Sequence, residues 1–117
     1  NLALADQLYT ADFVCHFLVG PEWRGVEGLK EQVRTHRRSF PDWREEIEEI
    51  IAEGDRVAVR FASHGSHLGE FQGMPATGKK VSIQEVAIYR IANGRIAEQW
   101  GFPDILSLRR QIGAKLD

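Results

Sequence analysis

The spacing of hydrophobic residues predicts a helical N-terminal part. Leu4 and Leu8 lie four positions apart, as neighbours on one face of a helix do, so the chain is expected to open with the end of a helix. Further along, Val26, Leu29 and Val33 repeat at helical spacing. Because most positions between them are polar, this second segment is predicted to be a surface helix.

Four other segments are predicted to be strands, because they are short and rich in β-branched or aromatic residues. They are residues 12–17, 57–62, 81–91 and 95–100. The dipeptide Asn93-Gly94 separates the last two and is typical of a tight hairpin turn.

The third of these strands contains a change of phase. Val81 and Ile83 share one face, whereas Val86 and Ile88 share the other. A β-bulge is therefore expected near Gln84-Glu85. Bulges bend strands, and a bent sheet can enclose a cavity.

Residues 42–53, DWREEIEEIIAE, are ambiguous. Trp43, Ile47, Ile50 and Ile51 match helical spacing better than strict alternation, so the period alone predicts a helix. A turn at residues 54–55 follows.

The chain is predicted to close with a helix over residues 105–111. Asp104 stands before this segment as a typical N-cap residue, and Gly113 follows it as a typical terminator. The order of helices, then long antiparallel strands, then a short helix predicts an α+β fold.

Residues 73–80, GMPATGKK, come within one residue of the phosphate-binding pattern GxxxxGK[ST]. Lys80 occupies the position where that pattern needs a hydroxyl to hold magnesium. The following residues are predicted to be a strand, so no helix N-terminus faces the segment. We interpret it as a connection between strands and expect no nucleotide site.

Length and charge exclude several classes of protein. A chain of 117 residues can form one hydrophobic core, and a single domain is expected over residues 1–117. The net charge of −2 favours neither nucleic acid nor a membrane as partner. The basic cluster of Lys30, Arg34, Arg37 and Arg38 is therefore interpreted as a solvated helix face.

The single cysteine, Cys15, excludes an internal disulfide and suits a reducing compartment, so a cytoplasmic location is expected. No hydrophobic run approaches the roughly 20 residues of a membrane-spanning helix. The chain begins at Asn1 without a methionine, and we expect an upstream segment to precede it.

Three stretches resemble the SnoaL-like polyketide cyclase family, which belongs to the nuclear transport factor two superfamily. They are GSHLGEFQGMPATGKKV, YRIANGRIAEQW and the pattern D-x-x-x-L-x-x-Q-I-G that begins at Asp104. The family typically shows a G-x-P-x-T-G-K connection, a D/N-G-K/R-I hairpin, a Trp and an Asp four residues after it. The resemblance covers roughly residues 9–113, in order.

The resemblance implies a curved antiparallel sheet wrapped by helices into a cone, with a hydrophobic cavity at its wide end. It also implies that residues 42–53 are a strand, against their period. The long first helix of the family is mostly absent from this chain, so the N-terminal helix is expected to be incomplete. A homodimer is expected by analogy with the superfamily.

The function implied by the resemblance is ring closure of a small, hydrophobic, carbonyl-bearing compound by an intramolecular aldol reaction, without cofactor or metal. The family matches the position of Asp104 to the general acid/base. A carboxyl does this work best in an apolar pocket that raises its pKa. The alternative is structural, because Asp104 is also expected to cap the last helix.

Aromatic side chains are expected to shape the pocket, namely Trp100, Phe102 and Phe61. His67 or Gln84 is expected to bind a substrate oxygen, although a solvated position is an alternative for each.

Two further residues are weaker lining candidates. Glu98 lies two residues before Trp100 and is expected on the same face as Ile96, as a second pocket carboxyl or as a solvated one. His16 lies on the early strand, which is expected to approach the pocket.

Metal and nucleophile sites are not expected. His64 and His67 would point to opposite faces of a strand, and the sequence offers no third ligand for zinc. Cys15 and His16 are adjacent on a strand and point apart, so a buried cysteine is the preferred interpretation.

Two alternative functions remain open at this level. One is an isomerase or hydrolase that uses the same cavity; it would need an oxyanion donor, and Tyr89 is the only central tyrosine. The other is a non-catalytic module that binds a hydrophobic ligand and returns it unchanged.

Overall fold

The computed structural model describes residues 2–17 and 22–113. Within these ranges the elements follow in the order 3₁₀ turn Leu2–Leu4, α1 Ala5–Leu8, β1 Tyr9–Phe17, β2 Trp23–Arg24, α2 Gly25–Ser39, β3 Arg44–Glu53, β4 Arg56–Ser66, β5 Lys80–Ala92, β6 Arg95–Pro103 and α3 Ile105–Gln111. None of the helices in these ranges has the length and hydrophobicity that crossing a bilayer requires.

The strands form one six-stranded sheet in the order β2-β1-β6-β5-β4-β3. β1 and β6 run parallel, and the other neighbouring pairs are antiparallel. The predicted α+β class is confirmed. The sheet is mixed, however, where the resemblance implied an antiparallel one.

The pairing register assigns each strand residue to one of two faces, because paired residues point to the same side of a sheet. One cross-strand row joins Ile47, Phe61 and Glu85, and a second row joins Val57 to Tyr89. We call the face that carries these residues the inner face, and the opposite face the outer face.

Helices α2 and α3 cover part of the inner face with two hydrophobic clusters. The first cluster lies at the β1 end, and the second packs α3 and the residue after α2 against β5. Their buried members are Ala5, Phe13, Cys15 and Leu29 in the first, and Phe40, Val81, Ile83, Leu108 and Ile112 in the second. Every residue of β3 stays exposed, so the inner face is open along that edge.

The predicted surface helix over Val26, Leu29 and Val33 is confirmed as α2. Leu29 is buried, and Val26 packs beside it. Arg34 lies on the exposed side, as expected for a solvated basic face.

The helix that the period predicts for residues 42–53 is wrong, and the strand that the resemblance implies is right. β3 pairs with β4 throughout, but its register skips Glu48. This bulge places Ile50 on the same face as Ile47, three residues away, while Ile51 lies on the other face. The bulge therefore gives the hydrophobic residues of this strand the spacing that is typical of a helix.

The bulge expected near Gln84-Glu85 is absent. β5 pairs with β4 without interruption from Lys80 to Arg90. Glu85 occupies the next inner-face position after Ile83. Because this position holds a polar residue, the alternation of hydrophobic residues suggested a change of phase that the strand does not have.

The irregularity lies instead in β6. Ile96 pairs with Ile91, the next pair is Glu98 with Arg90, and Ala97 is skipped. Glu98 and Ile96 therefore lie on opposite faces, and the expectation that they share one is wrong.

The segment before β5 is a connection, as interpreted from the sequence. β5 begins at Lys80, and Phe71 and Met74 exchange backbone hydrogen bonds of 2.9 Å. Gly73 and Gly78 have φ angles of 86° and 73°, which favour glycine. These glycines therefore serve backbone turns.

Candidate active site

An open pocket of about 310 Å³ lies on the inner face. Its walls come from three central strands and the exposed strand β3, because alternate residues of each strand point to this side. The lining residues are Glu45, Ile47, Val57, Val59, Phe61, Tyr89, Ile91 and Ile96. The walls are thus mostly hydrophobic, with one carboxyl and one phenol.

Glu85 lies beside this pocket in the same cross-strand row as Phe61. The Ser63 hydroxyl donates a hydrogen bond to its Oε2. Burial raises the pKa of Glu85 to about 7, and the charge of Glu45 acts in the same direction. The Ser63 hydrogen bond favours the ionised form but is outweighed by burial.

Glu45 is the second inner-face carboxyl. The residue as a whole is exposed, as all of β3 is, but the atoms around its carboxyl desolvate it and raise its pKa. A hydrogen bond from the Trp43 side chain acts in the opposite direction. Since the strand is exposed, we expect a weaker effect here than at Glu85.

The phenols and the thiol on this face are held neutral. Burial is the main cause that raises the pKa of Tyr89, Tyr9 and Cys15, and the pKa of Cys15 rises to about 12. The charge of Glu45 also raises the pKa of both tyrosines. Neutral phenols donate hydrogen bonds, which suits carbonyl oxygens.

The sequence-predicted residues are divided between the two faces. Phe61 lies in the wall of the inner-face pocket. Trp100, Glu98 and His16 form a separate cluster on the outer face. The His16 ring stacks on Trp100 with a centroid distance of 5.5 Å, and its Nε2 lies 2.7 Å from a Glu98 oxygen.

This outer cluster is an ion-pair network. His16 Nδ1 lies 2.5 Å from a Glu22 oxygen, and Arg90 donates to Glu98 at 3.1 Å. The hydrogen bond to Glu98 is the largest cause that raises the pKa of His16. The Arg56 guanidinium lies 5.1 Å from the centre of the Trp100 ring.

Asp104 lies at the start of α3 and is exposed. Its Oδ1 accepts a hydrogen bond of 3.0 Å from the Ser107 backbone N–H, which is the capping arrangement. With Gln84 and His64 it borders a second, smaller pocket of about 210 Å³. The register places Phe102 on the outer face, with 38% of its surface exposed.

His67 is fully buried away from both pockets. Its Nδ1 lies 2.9 Å from the Thr77 hydroxyl, and its ring packs against Phe40 with a centroid distance of 5.6 Å. Within the described ranges its Nε2 has no hydrogen-bond partner.

The sequence reasoning did not find Glu85, Glu45 or Tyr89 as a group. A signal for Glu85 was present, because Ile83, Glu85, Ala87 and Tyr89 alternate and so share a face. Because residues 84–85 were interpreted as a bulge, the position of Glu85 on this face was not predicted. Glu45 carries no comparable signal, since it lies in a run of charged residues on an exposed strand.

Among residues 2–17 and 22–113, no three His, Cys, Asp or Glu side chains are grouped so that they could hold a metal ion.

The comparisons with known proteins agree on one family. A model described as SnoaL-like polyketide cyclase matches residues 1–112. Aklanonic acid methyl ester cyclase DnrD of Streptomyces peucetius is 36% identical over 95 residues, which cover 80% of this chain and 65% of the relative. Nogalonic acid methyl ester cyclase of Streptomyces nogalater is 33% identical over 91 residues, which cover 76% and 67%. The matches thus span about two thirds of these relatives.

Solved structures agree. A SnoaL-like protein from Jannaschia sp. CCS1 superposes with a TM-score of 0.90 at 25% identity, covering 98% of this chain and 80% of that one. TsrD from Streptomyces laurentii gives a TM-score of 0.87 at 26% identity, covering 98% and 84%.

Proposed function

The chain belongs to the SnoaL-like polyketide cyclase family, and from this premise we propose that it closes a ring in a small, hydrophobic, carbonyl-bearing compound by an intramolecular aldol reaction. The proposed substrate class is a polyketide-derived methyl ester of the kind that the curated relatives are named for.

The proposed reaction moves one proton and forms one carbon–carbon bond. A base removes a proton from a carbon flanked by carbonyls, the carbanion attacks a second carbonyl, and the new alkoxide is protonated. The carbonyls of the substrate delocalise the carbanion, so the protein needs only to position the reacting carbons and to transfer the proton. No cofactor is required for these steps.

One observation supports this proposal most directly, namely the chemistry of the inner-face pocket. Its hydrophobic walls suit a flat, apolar substrate, and the phenol of Tyr89 is a neutral donor for a carbonyl oxygen. Beside it lies Glu85, an acid whose pKa is close to neutrality.

The test is conversion of aklanonic acid methyl ester and nogalonic acid methyl ester, followed by liquid chromatography and mass spectrometry. Ring closure is an isomerisation, so we expect a product of unchanged mass and altered retention time. Val59→Arg, which fills the pocket, is expected to abolish conversion. Ala58→Arg, at the adjacent outer-face position, is the matched control and is expected to retain it.

The alternative of a binding module predicts a different outcome. Either ester would then bind to the wild-type protein and be recovered unchanged, and that result would contradict the proposed ring closure for these compounds.

A further inference from the structure

We propose that Glu85 is the catalytic residue that takes the proton from carbon and returns it to the alkoxide. The inference rests on the proposed function, and it moves the proton-transfer role from Asp104 to a residue that the family resemblance does not indicate.

The place of Glu85 in the sheet is the first support. Ile47, Phe61 and Glu85 form one row across three neighbouring strands, and the first two line the pocket. Adjacent strands lie about 4.8 Å apart. The backbone of Glu85 is therefore one strand spacing from Phe61 in the pocket wall. Glu85 is partly rather than completely buried, which leaves part of its surface accessible.

The hydrogen bonding of the carboxyl is the second support. The Ser63 hydroxyl donates to Oε2 and fixes the orientation of the group. In the part of the chain that the structure describes, Oε1 accepts no hydrogen bond. One oxygen is therefore held while the other is free to accept a proton, as proton transfer needs.

The ionisable surroundings are the third support. The groups that act electrostatically on the Glu85 carboxyl are the Ser63 hydroxyl from β4 and the Glu45 carboxyl from β3. Glu85 in turn acts on Tyr89, which lies on its own strand. None of these three is a cation, and no ion pair to Glu85 is present among residues 2–17 and 22–113. The carboxyl can therefore alternate between its two protonation states.

The proposed step balances within the substrate. Oε1 of the Glu85 carboxylate takes the proton from the acidic carbon, and the electron pair left on that carbon forms the new bond to the second carbonyl carbon. The carbonyl π pair moves to oxygen, and Glu85 returns the proton to this alkoxide. The enzyme ends in its starting state.

Asp104 lacks the desolvated setting that Glu85 has. It is exposed rather than desolvated, and Oδ1 is engaged with the Ser107 N–H at the start of α3. A carboxylate in this position stabilises a helix N-terminus.

The first test compares steady-state kinetics on aklanonic acid methyl ester. Glu85→Gln keeps the shape of the side chain and is expected to lower kcat at least about 100-fold with KM within about threefold, as loss of a general acid/base does. Glu53→Gln, at the exposed end of β3, is the control for an exchange of this kind. Asp104→Asn preserves the cap, since Asn and Asp cap helices about equally, and it separates capping from proton transfer.

Retained activity in Glu85→Gln overturns the proposal, and so does a large loss in Asp104→Asn with Glu85→Gln unaffected. Melting temperatures of all three variants show whether a loss of activity reflects unfolding. If Glu85→Gln does not fold, Glu85→Asp serves instead and is expected to keep measurable activity.

The second test needs no ring closure, and it therefore separates failure of this inference from failure of the proposed function. The probe is 2-tetralone, an aromatic ketone, in D₂O, with exchange of the protons next to its carbonyl followed by NMR. Wild type and Glu53→Gln are expected to accelerate the exchange of these protons. With Glu85→Gln the acceleration is expected to be at least about tenfold smaller than with wild type. Equal rates in Glu85→Gln and wild type, or no acceleration by wild type, contradict the proposal.

Discussion

Glu85 is a carboxyl at a position where its neighbours on the same face of β5 are hydrophobic. Ile83 and Ala87 on either side are buried, at 5% and 2% exposure. Burying a carboxyl favours its neutral form, which is why its pKa rises from the ordinary 4.5 to about 7. The same desolvation that costs stability supplies an acid/base group that titrates near neutral pH.

This residue makes stability depend on pH with a definite sign. Between pH 4.5 and about 7 the unfolded chain has released the proton of Glu85, whereas the folded chain still holds it. Stability is therefore expected to fall as pH rises through this window, by at most about 3 kcal/mol and less because Glu85 is partly exposed.

The measurement is urea unfolding of wild type and Glu85→Gln at several pH values from 4.5 to 8. The variant lacks the titrating group, so its free energy of unfolding is expected to fall less than that of wild type over this range. Parallel curves for the two proteins would show that Glu85 titrates normally in the folded state.

The sequence predicted the position of Asp104 in the fold and did not single out Glu85. Asp104 was recognised correctly as the residue before the last helix, and its proton-transfer role stays a prediction of the family resemblance. The sequence pattern of β5 is compatible with a bulge and equally with an acidic residue on the hydrophobic face of a regular strand. Only the pairing register distinguishes these alternatives, so Glu85 was not found.

The elements were predictable where the hydrophobic pattern is regular. Helix α2 and the Asn93-Gly94 hairpin follow directly from spacing and turn chemistry. The pattern failed at β3 because the skipped residue Glu48 places hydrophobic side chains three apart on one face. In β6 the skipped Ala97 reverses the faces of all residues that follow. A bulge cannot be located from period alone, since it depends on the partner strand.

The bulge in β3 leads to a prediction about ligand binding. Ile47 and Ile51 are similarly exposed, at 65% and 60%, but only Ile47 lines the inner-face pocket. Ile47→Ala is expected to weaken 2-tetralone binding about fivefold, because it removes apolar surface worth about 1 kcal/mol. Ile51→Ala is expected to change it less than about 1.5-fold.

Fluorescence or NMR titration measures the two dissociation constants. Equal weakening by the two substitutions would mean that the ligand does not distinguish the faces of β3, and the pocket assignment would then be wrong.

Across the whole molecule, the sequence motifs identified the fold, whereas the site residues that the resemblance implies stay a prediction. The connection, the hairpin and the closing helix are backbone features, and one fold can host many functions. A site depends on the face to which each side chain points, and the bulges in β3 and β6 change that face for the residues that follow. Of the predicted lining residues, Phe61 is on the inner face. Glu98 and His16 belong to an ion-pair network on the outer face, and Trp100 stacks on His16 there.

Dimerisation through the outer face stays a prediction. Val86 and Phe102 are 39% and 38% exposed on it, and the resemblance implies a homodimer. Light scattering gives the mass in solution directly.

The proposed ring closure on the inner face of the sheet requires that a ligand bind there. The most direct measurement is a titration of the protein, labelled with ¹³C in its Ile, Leu and Val methyl groups, with 2-tetralone. We expect saturable shifts at inner-face methyl groups, those of Ile47, Val59 and Ile91, with Val86 and Leu106 unchanged. Shifts at Val86 or Leu106 with the inner-face signals unmoved would contradict it and place the ligand beside Asp104.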